Sequence, residues 1–364
     1  MSVASRPVVG AARRVVALDV LRLVASFQMI QGHTLGGLAA PAALAGPLFG
    51  AWTYARGLTS VAFLFAAGLS FQLTTLVDLP RHLANRAASR QRLTRAGLLL
   101  VLGYALHAPF GTPLAKALIV DVLQCIGASL ALAELLVLAL RRARSVVLAA
   151  GALGVLALSL APHTAAITAD GAVSILTNYV TRTGGSLFPL TPYAGFFFAG
   201  VVAGALAFPQ GAATPRGRSL IRLVLVAALL CLTAAWIARV EVSVDPQVDL
   251  AFALRKLALV VAVLALLVLV SWKLARLPRV LERLSGETLV LYVVHLQLLY
   301  PPTVGLVHWV GPLLSLPAAM AVAFVLMLVS AAAALLWTGR KRRRGRSAGV
   351  SSARPAAAGD APRR

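Results

Sequence analysis

The chain has 364 residues, 60% of them hydrophobic and only 12% charged, with 34 Lys and Arg against 11 Asp and Glu for a net charge of +23. A soluble domain carries about 25% charged residues, so these proportions exclude a soluble protein and describe a polytopic membrane protein. The basic residues lie between apolar runs, not interleaved with aromatics on a polar face, which argues for membrane topology and against nucleic acid.

Residues 1–14 read as a short cytoplasmic segment, and 15–38 as the first span. Arg13-Arg14, the apolar run and Ala43-Leu44-Ala45 imitate a signal peptide. A signal core does not normally carry Asp19 and Arg22, so the segment reads as a retained span. A charge near the centre of a membrane helix costs about 2.5 to 3.5 kcal/mol on insertion scales. At about 100° per residue, Arg22 and His33 differ by about 20° around the helix and about 16 Å along it. Asp19, Arg22, Ser26, Met29 and His33 therefore form one stripe that faces other helices.

Further apolar runs at 57–79, 95–113, 118–140, 145–162, 188–208, 219–239, 252–274, 285–302 and 311–338 bring the expected count to about ten transmembrane helices in an all-α fold. With the N-terminus cytoplasmic, 27 basic residues fall on inner segments and 6 on outer ones, so the positive-inside rule places both termini in the cytoplasm. Residues 15–338 form one transmembrane domain, and 339–364 a basic tail too polar to fold alone. That tail reads as a topological signal in contact, at most, with anionic lipid. Arginine outnumbers lysine 30 to 4, which fits a GC-rich genome and a bacterial inner membrane. Cys125 and Cys231 lie singly in apolar runs and read as small apolar residues.

This topology sorts the polar residues by depth. His33, Arg56, His107, Asp121 and Gln124 fall at the outer level, where chemistry on an extracytoplasmic acceptor is expected. His163, Asp170, Asn178, Tyr179 and Arg182 belong to the outer loop after the fifth span. Asp19 and Arg22 lie in the inner half, and His295 near the middle of the ninth span. Each has a plainer reading. Asp19 and Arg22 are spaced for a salt bridge along one helix, and His107 beside Pro109 suits a helix end. His82 and His308 read as solvated. No His, Cys and carboxylate cluster has metal-ligand spacing, so no metal is expected.

Arg22-x10-His33, preceded by Leu18-Asp19-Val20-Leu21, resembles the opening helix of the membrane acyltransferase superfamily. That group includes the acyltransferase-3 proteins, the glucan succinyltransferase-like proteins and the heparan-α-glucosaminide N-acetyltransferase family. The run from Arg56-Gly57-Leu58-Thr59-Ser60 to Ala67-Gly68-Leu69-Ser70-Phe71 looks most like the second span of the last family and its bacterial relatives. Val120-Asp121-Val122-Leu123-Gln124 and Leu284-Ser285-Gly286-Glu287, continuing to His295, fit the same pattern. Leu23 departs from it, because a glycine usually follows the arginine.

The resemblance implies transfer of an acyl group, acetyl above all, from cytoplasmic acyl-CoA to a glycan or other extracytoplasmic acceptor. Arg22 and the loop arginines 86 to 95, including Arg92 and Arg95, would meet the donor phosphates. His33 would act as general base or as covalent acyl carrier. His295 would orient the donor or polarise its thioester, or else simply pack. Arg56, His107, Asp121 and Gln124 stand on the acceptor side. A transporter or flippase and a non-catalytic membrane partner are the competing readings, and the oligomeric state, a homo-oligomer included, stays open.

Overall fold

The computed structural model describes residues 14–107, 117–164, 167, 173–209, 217–239, 249–274, 276–301 and 305–351. The segment 1–13, the end of the third expected span at 108–113, Asp170 and the tail residues 352–364 lie outside the described residues. Among those described, the secondary structure is helical, with one isolated bridge between Ala39 and Leu314. In chain order the helices are α1 (Val16–Leu38), α2 (Pro47–Arg56), α3 (Leu58–Phe71), α4 (Leu79–Ala84), α5 (Arg86–His107), α6 (Val122–Leu140), α7 (Ala143–Thr164) and α8 (Ser174–Thr177). They continue with α9 (Leu190–Ala207), α10 (Gly217–Ile237), α11 (Leu250–Ser271), α12 (Arg279–Gly286), α13 (Thr288–Leu299), α14 (Leu306–Val310) and α15 (Leu316–Ser351).

The chain is an all-α, multi-pass membrane protein. Among the described residues seven helical stretches are long and apolar enough to cross a bilayer: Phe49–Leu76, Val122–Leu140, Ala143–Thr164, Leu190–Ala207, Gly217–Ile237, Leu250–Ser271 and Leu316–Arg343. Each matches one of the ten expected spans. The other three differ for visible reasons. Helix α1 has the length, but Asp19, Arg22, Gln28, Gln31 and His33, on more than one face, make it too polar. Helix α5 opens on Arg86, Arg90, Arg92 and Arg95. Helix α13 has 12 residues, against the roughly 20 that a straight crossing needs.

The contacts divide the chain into two compact units, one of residues 1–29 and 45–277, the other of 30–44 and 278–364. In the larger, α9 packs against α7 and α3, α5 against α6, and α10 against α11. Its core is aromatic, with Phe65, Phe71, Phe196, Phe197, Phe198 and Phe208 fully buried. Glycine makes the central contact possible. A Cβ on Gly68 would strike the carbonyl of Phe197, and one on Gly200 the carbonyl of Phe65. Two backbones thus meet where only hydrogen fits, as membrane helices do at small residues. On α10, by contrast, Leu225, Leu229, Leu232 and Trp236 are exposed at helical spacing, a stripe suited to lipid. Helix α3 does not end cleanly but continues as a π-helix, Gln72–Leu76. Such turns insert one residue into the helical register and often mark functional sites.

In the smaller unit the end of α1 joins α13 and α15 around Ile30, Leu38, Leu299 and Leu326. The Ala40 N–H donates to the Leu314 carbonyl at 2.8 Å, and the Leu314 N–H to that of Leu38 at 2.9 Å. Helix α15 runs past Arg340 to Ser351, through the segment where the basic tail was expected to begin. Ala, Arg and Lys are good helix formers and allow the last span to continue.

Candidate active site

Within the smaller unit, α1 presents His33 and α13 presents His295, which is 0% exposed. The two imidazoles are stacked, with centroids 5.2 Å apart, and Nδ1 of His33 lies 2.9 Å from Nε2 of His295. On its far side His295 Nδ1 is 2.8 Å from the carbonyl of Leu291. A carbonyl only accepts, so His295 Nδ1 bears the proton and Nε2 of the neutral ring is a lone pair. That lone pair accepts from Nδ1–H of His33. A neutral His33 is thereby left with its own lone pair on Nε2. Tyr300 donates from its hydroxyl to the His33 carbonyl at 3.3 Å and sets its ring edge-on to His33. Tyr292 meets His295 edge-on, with centroids 5.7 Å apart. The chemistry of this arrangement is that of a base with a fixed tautomer.

In the larger unit, Arg22 donates from Nη2 to the Ser70 hydroxyl, which in turn donates to the carbonyl of Ala66. Ser26 donates to the Arg22 carbonyl at 2.8 Å, and Asp19 lies 3.8 Å from Arg14. One turn past Ser70, Thr74 donates to the Ser70 carbonyl at 2.7 Å and accepts from Nη2 of Arg92 at 3.3 Å. The Arg92 guanidinium also lies over the Phe71 ring and 3.7 Å from Glu134. Arg95 is exposed. The same carboxylate binds Nε2 of His82 at 2.7 Å, with the Ser89 hydroxyl 3.2 Å from that nitrogen. His82 is thus buried and paired, not solvated as its basic loop implied. The loop folds back as α4 and carries His82 onto α6. Ser70, Thr74 and Glu134 were not singled out in the sequence. A lone glutamate in the run Ala131-Leu132-Ala133-Glu134-Leu135-Leu136 was the signal available.

The residues assigned to the acceptor side separate into two groups. Asp121, Gln124 and His107 come together at the start of α6. The Val122 N–H donates to Asp121 Oδ1 at 2.7 Å and the Asp121 N–H to Gln124 Oε1 at 3.1 Å, a reciprocal cap. His107 holds the Gly103 carbonyl with Nδ1 at 2.9 Å and faces Asp121 with Nε2 at 3.4 Å. Arg56 stands over the ring of Trp52, 5.5 Å from its centre. The outer loop attaches through Tyr179, whose hydroxyl accepts from that of Tyr104 at 2.9 Å. Burial pushes the Tyr179 hydroxyl well above the usual phenol range. Asn178 donates to the Leu118 carbonyl at 3.1 Å. His163 and His308 are exposed. Among the described residues no group of three or more His, Cys, Asp or Glu could hold a metal ion.

The catalytic-domain family of heparan-alpha-glucosaminide N-acetyltransferase matches residues 14–238, more than half of the chain. The matched region holds Asp19, Arg22, His33, Arg56, Arg92, Arg95, His107, Asp121, Gln124 and Glu134, and ends before His295. No curated protein matches the chain.

Proposed function

We propose, for a chain that belongs to the heparan-alpha-glucosaminide N-acetyltransferase catalytic family and is a membrane acetyltransferase, a transfer from cytoplasmic acetyl-CoA to a glycan or similar acceptor across the membrane, with His33 as general base. The observation that carries this reading is the bond from His33 to His295, whose other nitrogen is tied to Leu291. It leaves a lone pair on Nε2 of His33, and a base needs that lone pair before anything else.

The step balances as follows. The acceptor hydroxyl or neutral amine loses its proton to Nε2 of His33 as its O or N attacks the thioester carbonyl carbon. The C–S bond of the tetrahedral intermediate breaks, and the thiolate takes the proton back from the imidazolium. Acetylated acceptor and the free thiol leave, and His33 is neutral again. His295 Nε2 faces the positive ring throughout the step and stabilises it.

The donor's phosphates are assigned to Arg22, Arg92 and Arg95, because guanidinium groups match phosphate oxygens in charge and geometry. They belong to the cytoplasmic side by the charge count that places both termini there. A bacterial inner membrane is the setting we propose, with the acceptor groups Arg56, His107, Asp121 and Gln124 on its outer side. Of these, Arg56 beside Trp52 has the character of a sugar contact, whereas Asp121 and Gln124 already serve a helix cap.

The test is transfer by the purified full chain in liposomes, with labelled acetyl-CoA outside or inside and candidate glycans on the opposite side. Label that appears on the acceptor only across the membrane supports the reading. Acceptor movement without acetylation would mean a transporter instead. A labelled enzyme trapped without acceptor would make His33 an acyl carrier.

A further inference from the structure

Glu134 is a fully buried carboxylate in the middle of an apolar helix, 0% exposed. Such a group is expensive in a membrane protein and is kept where it has a task. Its contacts suggest which. Oε1 is held by His82 Nε2 at 2.7 Å, and Oε2 lies 3.7 Å from Nε of Arg92. Arg92 is further fixed by Thr74 at Nη2 and by the Phe71 ring against one face, 5.3 Å from its centre. A guanidinium has five N–H groups. Holding it at Nε, at one face and at one Nη2 N–H leaves both Nη1 N–H groups and the second of Nη2, which together can grip two phosphate oxygens at once. Neither Nε of Arg92 nor Oε2 of Glu134 has a hydrogen-bond partner among the described residues. The pair is therefore held by charge, at a distance from which a bound anion can draw the arginine without breaking a tight bond.

We propose that Glu134, with its other oxygen secured by His82, is a positioning residue that aims Arg92 at the phosphates of the acyl donor. This rests on the reading of Arg92 as a donor contact and adds to it the group that sets its direction. The alternative is that the cluster merely ties α4, α5 and α6 together. A tie would affect every substrate alike, whereas an aimed guanidinium affects only a donor that carries phosphate.

The experiment compares acetyl-CoA with S-acetylpantetheine, which lacks the nucleotide phosphates, on the purified full chain in liposomes. Glu134→Gln is expected to lower kcat/KM for acetyl-CoA about tenfold, chiefly through KM, and to leave kcat/KM for S-acetylpantetheine unchanged. Glu134→Asp is expected to recover part of the loss. Equal losses with both donors, or none with acetyl-CoA, would overturn the proposal. Thr74→Val, at an exposed position, keeps the test open if Glu134→Gln does not fold. It should give the same donor-selective loss at about threefold, and a non-selective loss or none counts against the proposal. Arg92→Ala separates the two levels. If it leaves KM for acetyl-CoA unchanged, the donor reading itself fails; if it raises KM while Glu134→Gln does not, only the positioning role fails.

Discussion

Nδ1 of His33 and Nε2 of His295 face each other at 2.9 Å although 262 positions separate them in the chain. The direction of the bond between them follows from a third atom, the Leu291 carbonyl, which obliges His295 to place its proton on Nδ1. A backbone oxygen thus decides which nitrogen of His33 is basic. The pair also explains why an apolar helix carries an imidazole at all.

Replacing His33 by Ala is expected to lower acetyl transfer by about 10² to 10⁴, the range for loss of a positioned general base. Donor affinity should stay within about twofold, because the proposed contacts to the phosphates are Arg22, Arg92 and Arg95, not His33. Transfer assayed with labelled acetyl-CoA, beside direct binding of CoA, checks both. Undiminished transfer by a folded variant would remove His33 from the chemistry.

His295 is assigned an indirect part, so its replacements should differ by what they can accept. His295→Ala removes the acceptor for His33 Nδ1–H and is expected to cost about 10- to 100-fold in kcat, in line with the modest worth of a charge-assisted hydrogen bond. His295→Gln retains an amide oxygen and should recover part of it. The pH profile distinguishes tautomer control from packing: in the Ala variant the acid limb should move, since the partner of the positive ring is gone. Equal, pH-independent losses in both variants would make His295 a packing residue.

Much of this fold is legible in the sequence because a membrane helix announces itself by length and apolarity, as the seven spans from Phe49 to Arg343 do. Helix α1 was legible in the same way, as an apolar run of spanning length, and its unexpected charges marked it as a place of chemistry. The site was legible only in part. Arg22 and His33 share one helix, and their spacing already aligns them, but no local pattern connects His33 to His295 or His82 to Glu134, 52 positions away. Those contacts depend on how helices pack, which a single chain of letters does not state. Asp121 and Gln124 read as acceptor-side groups; their Asp-x-x-Gln spacing is also that of a reciprocal cap, a reading not made from the sequence, and the cap is what forms.

The contact of α3 with α9 should be intolerant of a single methyl. Gly68→Ala gains about 1 kcal/mol in helix propensity. Against that, its Cβ would meet the Phe197 carbonyl, a backbone group that cannot rotate away. Overpacking costs about 1 to 3 kcal/mol, so the net effect is destabilising, and Gly200→Ala, against Phe65, should behave alike. Thermal unfolding in detergent measures it. A variant as stable as the parent would show that α3 and α9 can separate freely.

Asp121→Ala tests whether that residue serves the cap or the acceptor. The loss of an N-cap side chain costs about 1 kcal/mol, and His107 loses its carboxylate as well. A lower melting temperature with the acceptor KM unchanged is the expected outcome. A raised acceptor KM at unchanged stability would put Asp121 in contact with the acceptor.

Arg22 carries the last prediction, and the bond to Ser70 makes it specific. As a donor contact, Arg22→Ala should raise KM for acetyl-CoA about tenfold. Arg22→Lys keeps the charge but not the planar fork, so it should recover only part of the affinity. Ser70→Ala leaves the guanidinium charged and merely less constrained, which predicts a smaller rise of about twofold to threefold. High salt should narrow the gap between parent and Arg22→Ala, because screening weakens the attraction that the parent has and the variant lacks. Donor kinetics at two ionic strengths decide the matter: an Arg22→Ala variant with an unchanged KM, at either salt, would assign Arg22 to helix packing through Ser70 alone.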